Sequence, residues 1–518
     1  MIILDNETEQ HPKLAQPIPA YTIPVNRCST SSSSLPDYDA SEALHQKPLK
    51  PPRRRISRLW KIIICVVFVY CFLTLAVGVP LLVVKLKEHY PKSASAPAGW
   101  SPQQANVVVI PGMELANNPP AFEDEDDCDA WTKVDRTEEH MKLAHLNYTI
   151  PFSGNIFIGS NGSYMTDGPD KSISGTIFVD INDDSSVQDM DFQLSMAYNH
   201  SHTMNRTHVC RTNKMDNTGV YIYIPNDLDS DDILTFNITL LLPQPGPAIN
   251  YSSFATMLPL FHQHYGYLSP TIKFRQVFLG GPKSTVLADS FAADSLAIMS
   301  SPGNITGSFQ AGYQLVLETM SAPISANISM HTSGDWAQSI VRLNTGNDPL
   351  SAEISLVPTK GKKSQKYPAF YIDVNTFSAP LYLSISQKPE DEDDLTPVFL
   401  HASNNLGAVR VEMDSHYEGT FTAQTEYART VVLDTPTGGI TADDTDNLAS
   451  NATFVKTTPD SAQDPFGRTL YYDSVSATSV HGWVGRGKRP SMMSTSGAPG
   501  CIEIMSVLSP VTLELGQP

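Results

Sequence analysis

Two patterns of apolar residues divide the chain. The first is a run from Ile62 to Val84 in which 23 consecutive residues carry no charge. A hydrocarbon core about 30 Å thick takes roughly 20 helical residues, so the run predicts a transmembrane helix, with the anchor segment at 58–86. The second pattern is the alternation of apolar and polar residues that dominates after Trp131. Because alternation is typical of half-buried strands, we expect an all-β ectodomain.

The alternation itself repeats in the second half of the chain. Five segments each contain a short strand, a small polar corner and a second strand; they cover 315–329, 341–355, 372–386, 398–412 and 431–442. The aligned corner residues are Thr319, Thr345, Thr376, Ala402 and Thr435, and the positions two and four before each are apolar. Three segments share a proline four residues after the corner, namely Pro323, Pro349 and Pro380. Recurrence every 26–33 residues predicts β-solenoid-like repeats, with a β-sandwich as the alternative.

Composition sets the other boundaries. Residues 1–57 are rich in proline, serine and charge and predict a disordered cytoplasmic tail. Residues 87–125 predict a stalk or linker. The ectodomain then divides into an N-terminal β region (126–285), a repeat-containing β region (286–480) and a loop-rich C-terminal segment (481–518).

Charge predicts the orientation of the anchor. Residues 1–61 carry a net charge of +3 and residues 85–518 a net charge of −22. Excess lysine and arginine marks the cytoplasmic side, so we expect a single-pass protein whose N-terminus is cytoplasmic and whose C-terminus is extracellular or lumenal, at the plasma membrane. The long polar segment before the run argues against a cleaved signal peptide. An acidic ectodomain also argues against nucleic-acid binding.

Glycosylation sequons support the same orientation. One sequon precedes the apolar run and nine follow it, where an acceptor asparagine would face the lumen. The nine candidates are Asn147, Asn161, Asn199, Asn205, Asn237, Asn250, Asn304, Asn327 and Asn451.

Three cysteines follow the anchor, which is too few for a disulfide scaffold. We take Cys128 and Cys210 as the candidate disulfide, and Cys501 is left over.

The tail contains short motifs of a recognition type. Two x-Pro-x-Tyr tetrads, with Pro19 and Tyr21 and with Pro36 and Tyr38, could bind a WW-type adaptor in a polyproline conformation. A basic cluster at 53–61 would contact membrane lipid, and Ser57 beside it is a candidate phosphorylation site.

Motifs for enzymatic chemistry are missing from the sequence. It contains no serine nucleophile elbow, zinc-protease helix, phosphate loop or dinucleotide fingerprint. Two His-x-His pairs, His200/His202 and His262/His264, could each supply two metal ligands, but the sequence identifies no third. Asp227, Asp229 and Asp231 lack the glycine and glutamate of a calcium loop. We therefore expect no catalytic residues, no metal and no cofactor.

The N-terminal segment carries a resemblance. The opening Met-Ile-Ile-Leu-Asp, the segment 32–43 and the basic patch before the span resemble single-pass membrane proteins of mushroom-forming (basidiomycete) fungi. Their all-β extracellular domain has no assigned function. The resemblance implies a fungal membrane location and transfers no site residues.

Three classes of function follow from these patterns. The first is surface contact, either adhesion or interaction with the cell wall, because extended β-stacks present long polar faces to polysaccharide or surface proteins. The second is a membrane-anchored carbohydrate-active enzyme whose carboxylates meet only in the fold. The third is a receptor or sorting protein that acts through its tail.

Overall fold

The computed structural model shows the described part of the chain to be almost entirely β. The structure describes residues 128, 131–136, 141–152, 154–162, 173–214, 217–225, 227–229, 231–244, 250–332, 339–358, 370–388, 396–434, 467–487 and 500–517. The tail, the predicted anchor, the stalk and Asn451 lie outside these residues, and so do Pro19, Tyr21, Pro36, Tyr38 and Ser57. No helix among the described residues is both long and apolar enough to cross a membrane.

The described residues form 26 strands and one short helix. In the first half of the domain these are β1 (Thr132–Arg136), β2 (Lys142–Ile150), β3 (Asn155–Ser160), β4 (Ile173–Ile181), β5 (Met190–Tyr198), α1 (Ser201–Arg206), β6 (His208–Lys214), β7 (Asn217–Tyr223), β8 (Leu234–Leu242), β9 (Asn250–Met257), β10 (Phe261–Tyr267), β11 (Lys273–Gly280), β12 (Val286–Met299) and β13 (Ile305–Glu318). In the second half they are β14 (Ile324–His331), β15 (Ser339–Asn344), β16 (Leu350–Val357), β17 (Phe370–Thr376), β18 (Leu381–Gln387), β19 (Val398–Asn404), β20 (Val409–Asp414), β21 (Gly419–Thr425), β22 (Thr430–Asp434), β23 (Arg468–Val475), β24 (Ser479–Arg486), β25 (Gly500–Ser506) and β26 (Val511–Gln517).

Most strands belong to one of two long parallel ladders. The first ladder runs in the spatial order β7, β3, β9, β11, β12, β13, β15, β17, β19, β25, β21. The second runs β8, β4, β10, β12, β13, β14, β16, β18, β20, β26, β22. Strands β12 and β13 take part in both ladders. The chain therefore winds into successive coils of two strands each. These coils stack in parallel and form the predicted solenoid.

The alternating sequence explains the interior. Strands β17, β18 and β19 alternate buried and half-buried residues along their whole length, and β14 and β16 alternate buried residues with exposed or half-buried ones. Alternate side chains point to opposite faces of a strand, so every second residue enters the coil. The inward residues of both ladders form one hydrophobic core. No single coil has enough apolar residues to bury a face alone, so stacking is what holds the coils together.

From Ser300 onward, each coil turns from the first ladder to the second at a buried polar residue. These corner residues are Ser300, Thr319, Thr345, Thr376, Asn404, Ser506 and Thr425. In every case the side chain hydrogen-bonds the backbone three residues further on. The Thr345 hydroxyl, for example, donates to the Asp348 carbonyl at 2.7 Å and accepts from the Asp348 amide at 3.3 Å. A tight turn leaves backbone groups without partners, and the corner side chain supplies one.

The structure corrects the predicted register of two repeats. Ala402 pairs with Val374, and the residue that pairs with Thr376 is Asn404. The segment at 431–442 does not begin a coil either, because its strand β22 belongs to the second ladder. The first error arose because the predicted corner was a threonine or alanine, whereas the buried asparagine Asn404 also satisfies it. In the second repeat the corner is Thr425, which precedes β22.

The sequence had indicated a loop-rich C-terminal segment, but the structure places strands β25 and β26 in it. Its strands β25 and β26 insert between β19–β20 and β21–β22, so the last coil along the chain is the second-last in space. The close fit depends on small residues, since a Cβ on Gly419 would lie 2.1 Å from the Gly500 carbonyl oxygen. The absence of a Cβ on Gly419 therefore allows the two coils to meet.

Antiparallel strands cover the ends of the ladders. At the N-terminal end β6 pairs with β7, and β5, β2 and β1 continue from β8. At the C-terminal end β24 and β23 continue from β21. A disulfide joins Cys128 to Cys210 on β6. The disulfide therefore links the segment before β1, which extends the second ladder, to β6, which extends the first ladder.

Candidate functional site

The outward side of the first ladder carries a continuous set of mostly polar side chains with two aromatic rings among them, which we call the polar face. Because consecutive strands pair without a register shift from β15 to β25, the same alternate positions stack above one another. The polar face consists of Glu318, Arg342, Asn344, Tyr371, Asp373, Asn375, Phe399, His401, Ser403 and Glu503.

Charges of opposite sign alternate along its central column. Arg342 lies 3.6 Å from the carboxylate of Asp373, measured from Nε to Oδ2. Two strands further on, His401 Nδ1 lies 3.4 Å from Glu503 Oε2. Their hydrogen bond raises the pKa of His401 and lowers the pKa of Glu503, so both charged forms are favoured. Paired opposite charges on neighbouring strands stabilise the sheet and fix these groups in place.

A second column presents amides and one carboxylate. The Asn344 amide donates to Glu318 at 3.0 Å, and the Asn375 amide donates to Asn344 at 3.2 Å. Ser403 continues the chain by donating to Asn375 at 2.5 Å. Burial raises the pKa of Glu318 even though the bond from Asn344 opposes the shift. The side chains of this column therefore form a hydrogen-bonded ladder. Successive members lie on neighbouring strands, about 4.8 Å apart.

The third column is apolar. Tyr371 and Phe399 stack with their ring centroids 4.7 Å apart and their planes within 8°. Ile340 and Cys501 flank them in the same column. Burial, with Asp373 nearby, raises the pKa of Tyr371 to about 12. The polar face thus combines an apolar strip with rows of fixed hydrogen-bonding groups.

The polar face is confined to the later coils. On the earlier coils the positions that continue the central column are buried and apolar, as at Phe157, Ala255, Phe278, Ala297 and Val316. The opposite surface, formed by the second ladder, is polar but different in character. It is rich in serine on β14, β16 and β18, and its charges form a local group in which Arg410 pairs with Glu412 and Glu514.

A row of exposed apolar side chains runs beside the polar face, along the corners. Its members follow the buried corner residues by one or two positions: Met320, Phe377, Leu406, Leu508 and Tyr427. Backbone hydrogen bonds between successive corners hold the row in line. Aligned exposed apolar groups are typical of contact surfaces.

The predicted glycosylation sites fall in different environments. Asn147, Asn205, Asn237 and Asn327 are exposed, and the side chain of Asn250 is not described. The amides of Asn161 and Asn199 bond backbone groups: Asn161 donates to Ile224 O at 3.0 Å and Asn199 to Asp231 O at 2.5 Å. Asn304 is half-buried and donates to Thr306 at 3.4 Å. Exposure therefore favours the first four as glycan acceptors.

The two His-x-His pairs separate in the fold. His262 and His264 point outward from β10, where His264 lies 3.4 Å from Asp289. His200 and His202 lie at the start of α1, beside Asp232. Of the three alternating aspartates, Asp227 pairs with Arg206, and Asp229 lies near His202.

The polar face itself was missed by sequence reasoning. Its residues lie on five strands and are spread over 318–503, and only strand pairing brings them together. One signal was available: within the aligned repeats the positions one and three before the corner hold Asn344 and Arg342, then Asn375 and Asp373. A comparison of the outward positions, beside the inward ones, would have indicated a polar surface.

Comparisons with known proteins add little. No protein-family model matches the chain, and no curated protein matches it. One similar solved structure is a protein from Clostridium sporogenes provisionally named a cell adhesion protein, with 8% identity, a TM-score of 0.14, and coverage of 72% of this chain and 100% of the other. Another is provisionally named an adhesin, from Bacteroides fragilis, with 9% identity, a TM-score of 0.26, and coverage of 74% and 99%. These likenesses are too weak to transfer a fold or a function.

Proposed function

We propose that this chain is a membrane-anchored surface-contact protein whose polar face binds cell-wall polysaccharide without cleaving it. The observation that carries the proposal is the polar face, with its apolar strip beside rows of fixed charges and amides. A sugar ring has apolar C–H faces and hydroxyl groups around its edge, so it can lie on Ile340, Tyr371 and Phe399 while hydrogen-bonding to Asp373 and Asn375. Groups held by their neighbours lose little entropy on binding.

The repeating geometry suits a polymer. The three coils of β15, β17 and β19 each offer a charged, a polar and an apolar side chain at a spacing of about 4.8 Å. A linear polysaccharide could therefore contact several coils at once. Several weak contacts on one rigid scaffold combine into firm attachment. The exposed row at the corners, which includes Phe377 and Leu406, extends the contact surface beyond the strands.

Binding to insoluble glucan and chitin tests the proposal. Purified full-length protein would be mixed with each polymer, and the bound fraction and the released reducing ends measured together. We expect saturable binding without sugar release. Tyr371→Ala and Arg342→Ala should each reduce affinity by about tenfold, the effect of losing roughly 1.4 kcal/mol of contact.

The second ladder provides matched controls. Tyr382 and Arg410 point outward from β18 and β20, on the opposite surface, so Tyr382→Ala and Arg410→Ala should bind normally. Equal losses in both pairs of variants, or no binding to either polymer, would overturn the proposed face. Release of reducing ends would instead favour the carbohydrate-active enzyme.

The proposed location rests on the sequence. The uncharged run at 62–84 and its basic N-terminal flank support an anchor with the ectodomain outside. Treatment of intact cells with external protease, and of the lysate with an N-glycosidase, tests it. Loss of the ectodomain together with a mass decrease is expected; an unchanged mass and full protection would contradict the orientation.

A sorting role for the tail is tested separately. The tetrads around Tyr21 and Tyr38 support recruitment of an adaptor. Normal trafficking of a Tyr21→Ala, Tyr38→Ala double variant would exclude that role and leave the polar face unaffected.

A further inference from the structure

We propose a divalent metal site of the zinc class formed by His200, His202 and Asp232. It lies on the N-terminal cap, by which we mean the antiparallel strands β1, β2, β5 and β6 together with α1. The site is independent of the polar face and of the proposed function. The chain supplies two imidazoles and one carboxylate, a set that suits borderline first-row cations and is poorly suited to calcium or magnesium.

Strand pairing brings the three side chains together. Strands β5 and β8 are antiparallel, and Tyr198 at the end of β5 lies opposite Leu234 at the start of β8. Residues two positions beyond this pair, His200 and Asp232, therefore meet at the same end of the sheet. The chain then turns into α1, which places His202 beside them. The third ligand, which the sequence did not identify, is therefore Asp232, and it lies 30 residues after His202 in the chain.

The distances match those between ligands of one metal ion. His200 Nδ1 lies 3.0 Å and His202 Nε2 3.5 Å from the same oxygen, Asp232 Oδ1. All three ligand atoms lie within 4.8 Å of one another. Ligands about 2.1 Å from zinc in a tetrahedral arrangement are about 3.4 Å apart. Small side-chain movements would therefore bring all three to one ion.

Surrounding groups hold the carboxylate in position. Asp232 is only 1% exposed. Its Oδ1 accepts a hydrogen bond from the Thr203 hydroxyl at 2.6 Å, and its Oδ2 accepts one from the Asp229 amide at 3.0 Å. Outer partners of this kind orient metal-binding carboxylates.

The two imidazoles complete an accessible site. The His200 and His202 rings stack with centroids 5.4 Å apart, and both side chains are about half exposed, at 42% and 53%. Solvent can therefore reach the ion. The exposed carboxylate of Asp229, with Oδ2 3.9 Å from His202 Nε2, or a water molecule would take the fourth position.

Zinc titration of the full-length protein, after removal of metal with a chelator, tests the site. A competing fluorescent chelator would measure Zn²⁺ affinity and stoichiometry, with Ca²⁺ as the comparison ion. We expect one tight Zn²⁺ per chain, an increase in Tm with Zn²⁺ but not Ca²⁺, and tetrahedral d–d absorption with Co²⁺.

Variants distinguish this cluster from other surface histidines. His202→Gln should weaken zinc binding by at least roughly 10–100-fold, because loss of a direct ligand should cost no less than loss of an outer partner. It should also abolish the increase in Tm. The matched control is His264→Gln from the other His-x-His pair, which should bind zinc normally. Asp232→Asn provides a second test. If that variant fails to fold, the His202→Gln variant still tests the site, because His202 is half exposed.

Three results would overturn the site. These are the absence of saturable zinc binding, retention of tight binding in His202→Gln, and equal losses in His202→Gln and His264→Gln.

Discussion

From Ser300 onward, a single buried polar side chain at each corner determines how a coil turns. Threonine at 319, 345 and 376, asparagine at 404 and serine at 506 all bond the backbone three residues further on. A buried backbone group without a partner costs about 1–3 kcal/mol. The sequence revealed the threonines because they recur with the same apolar neighbours. It concealed Asn404 and Ser506, since a different residue type performs the same task.

Replacing a corner hydroxyl should destabilise the solenoid. Thr345→Val keeps the volume but removes both bonds to Asp348, so we expect the unfolding free energy to fall by about 1–3 kcal/mol. The urea midpoint of the full-length protein measures this change. Thr512→Val, at an outward half-buried position on β26, is the control and should change the midpoint little. Equal midpoints for the two variants would contradict the role of the corner.

The His401–Glu503 pair should make stability depend on pH. The raised pKa of His401 contributes stability that is complete below its ordinary value of 6.5 and is lost as pH rises through the raised value. The lowered pKa of Glu503 contributes stability that is present above 4.5 and is lost as pH falls through the lowered value.

The stabilising effect of this pair should therefore be largest between pH 4.5 and 6.5. Unfolding of the full-length protein and of His401→Gln, compared at pH 5.5 and pH 8.5, measures it. The difference should shrink at the higher pH and at high salt, because Glu503 is 42% exposed. A difference that does not vary with pH would show that the pair contributes no ionic stabilisation.

At the scale of elements, alternation and turn residues were enough to predict strands. Pro323, Pro349 and Pro380 each precede a strand of the second ladder, where their carbonyls accept hydrogen bonds from the preceding coil. Proline is tolerated there because only its carbonyl is used. Pro510 occupies the same position before β26. It escaped notice because the final coil lies far along the chain from its spatial neighbours.

The disulfide should stabilise the N-terminal cap. Cys128 and Cys210 are separated by 82 residues, and closing a loop of that length destabilises the unfolded chain by roughly 4.5 kcal/mol. A Cys128→Ser, Cys210→Ser double variant should lower the Tm of the full-length protein, and hydrogen exchange should increase first in β1, β2 and β6. Unchanged exchange in these strands would mean that their pairing alone holds the cap.

At the scale of the molecule, the C-terminal coil is inserted into the stack. Each flanking coil pairs with β25 or β26, and β19 is not paired with β21. A chain that ends before Gly500 should therefore lose amide protection in β21, β22 and β24, while β9 to β13 keep theirs. Hydrogen exchange with mass spectrometry measures this. Full protection of β21 and β22 would show that they can pair directly with β19 and β20.

The sequence by itself determined the local features of this protein: the strands, their inward residues, the repeated corner and the apolar run at 62–84. These follow from side-chain periodicity and backbone hydrogen bonding over a few residues. Tertiary structure alone decided which distant segments meet. It inserted the last coil between two earlier ones, aligned Arg342, Asp373, His401 and Glu503, and brought Asp232 to two histidines. The reason is physical: register and stacking depend on how whole coils bury their apolar faces against one another, and no short window of sequence contains that information.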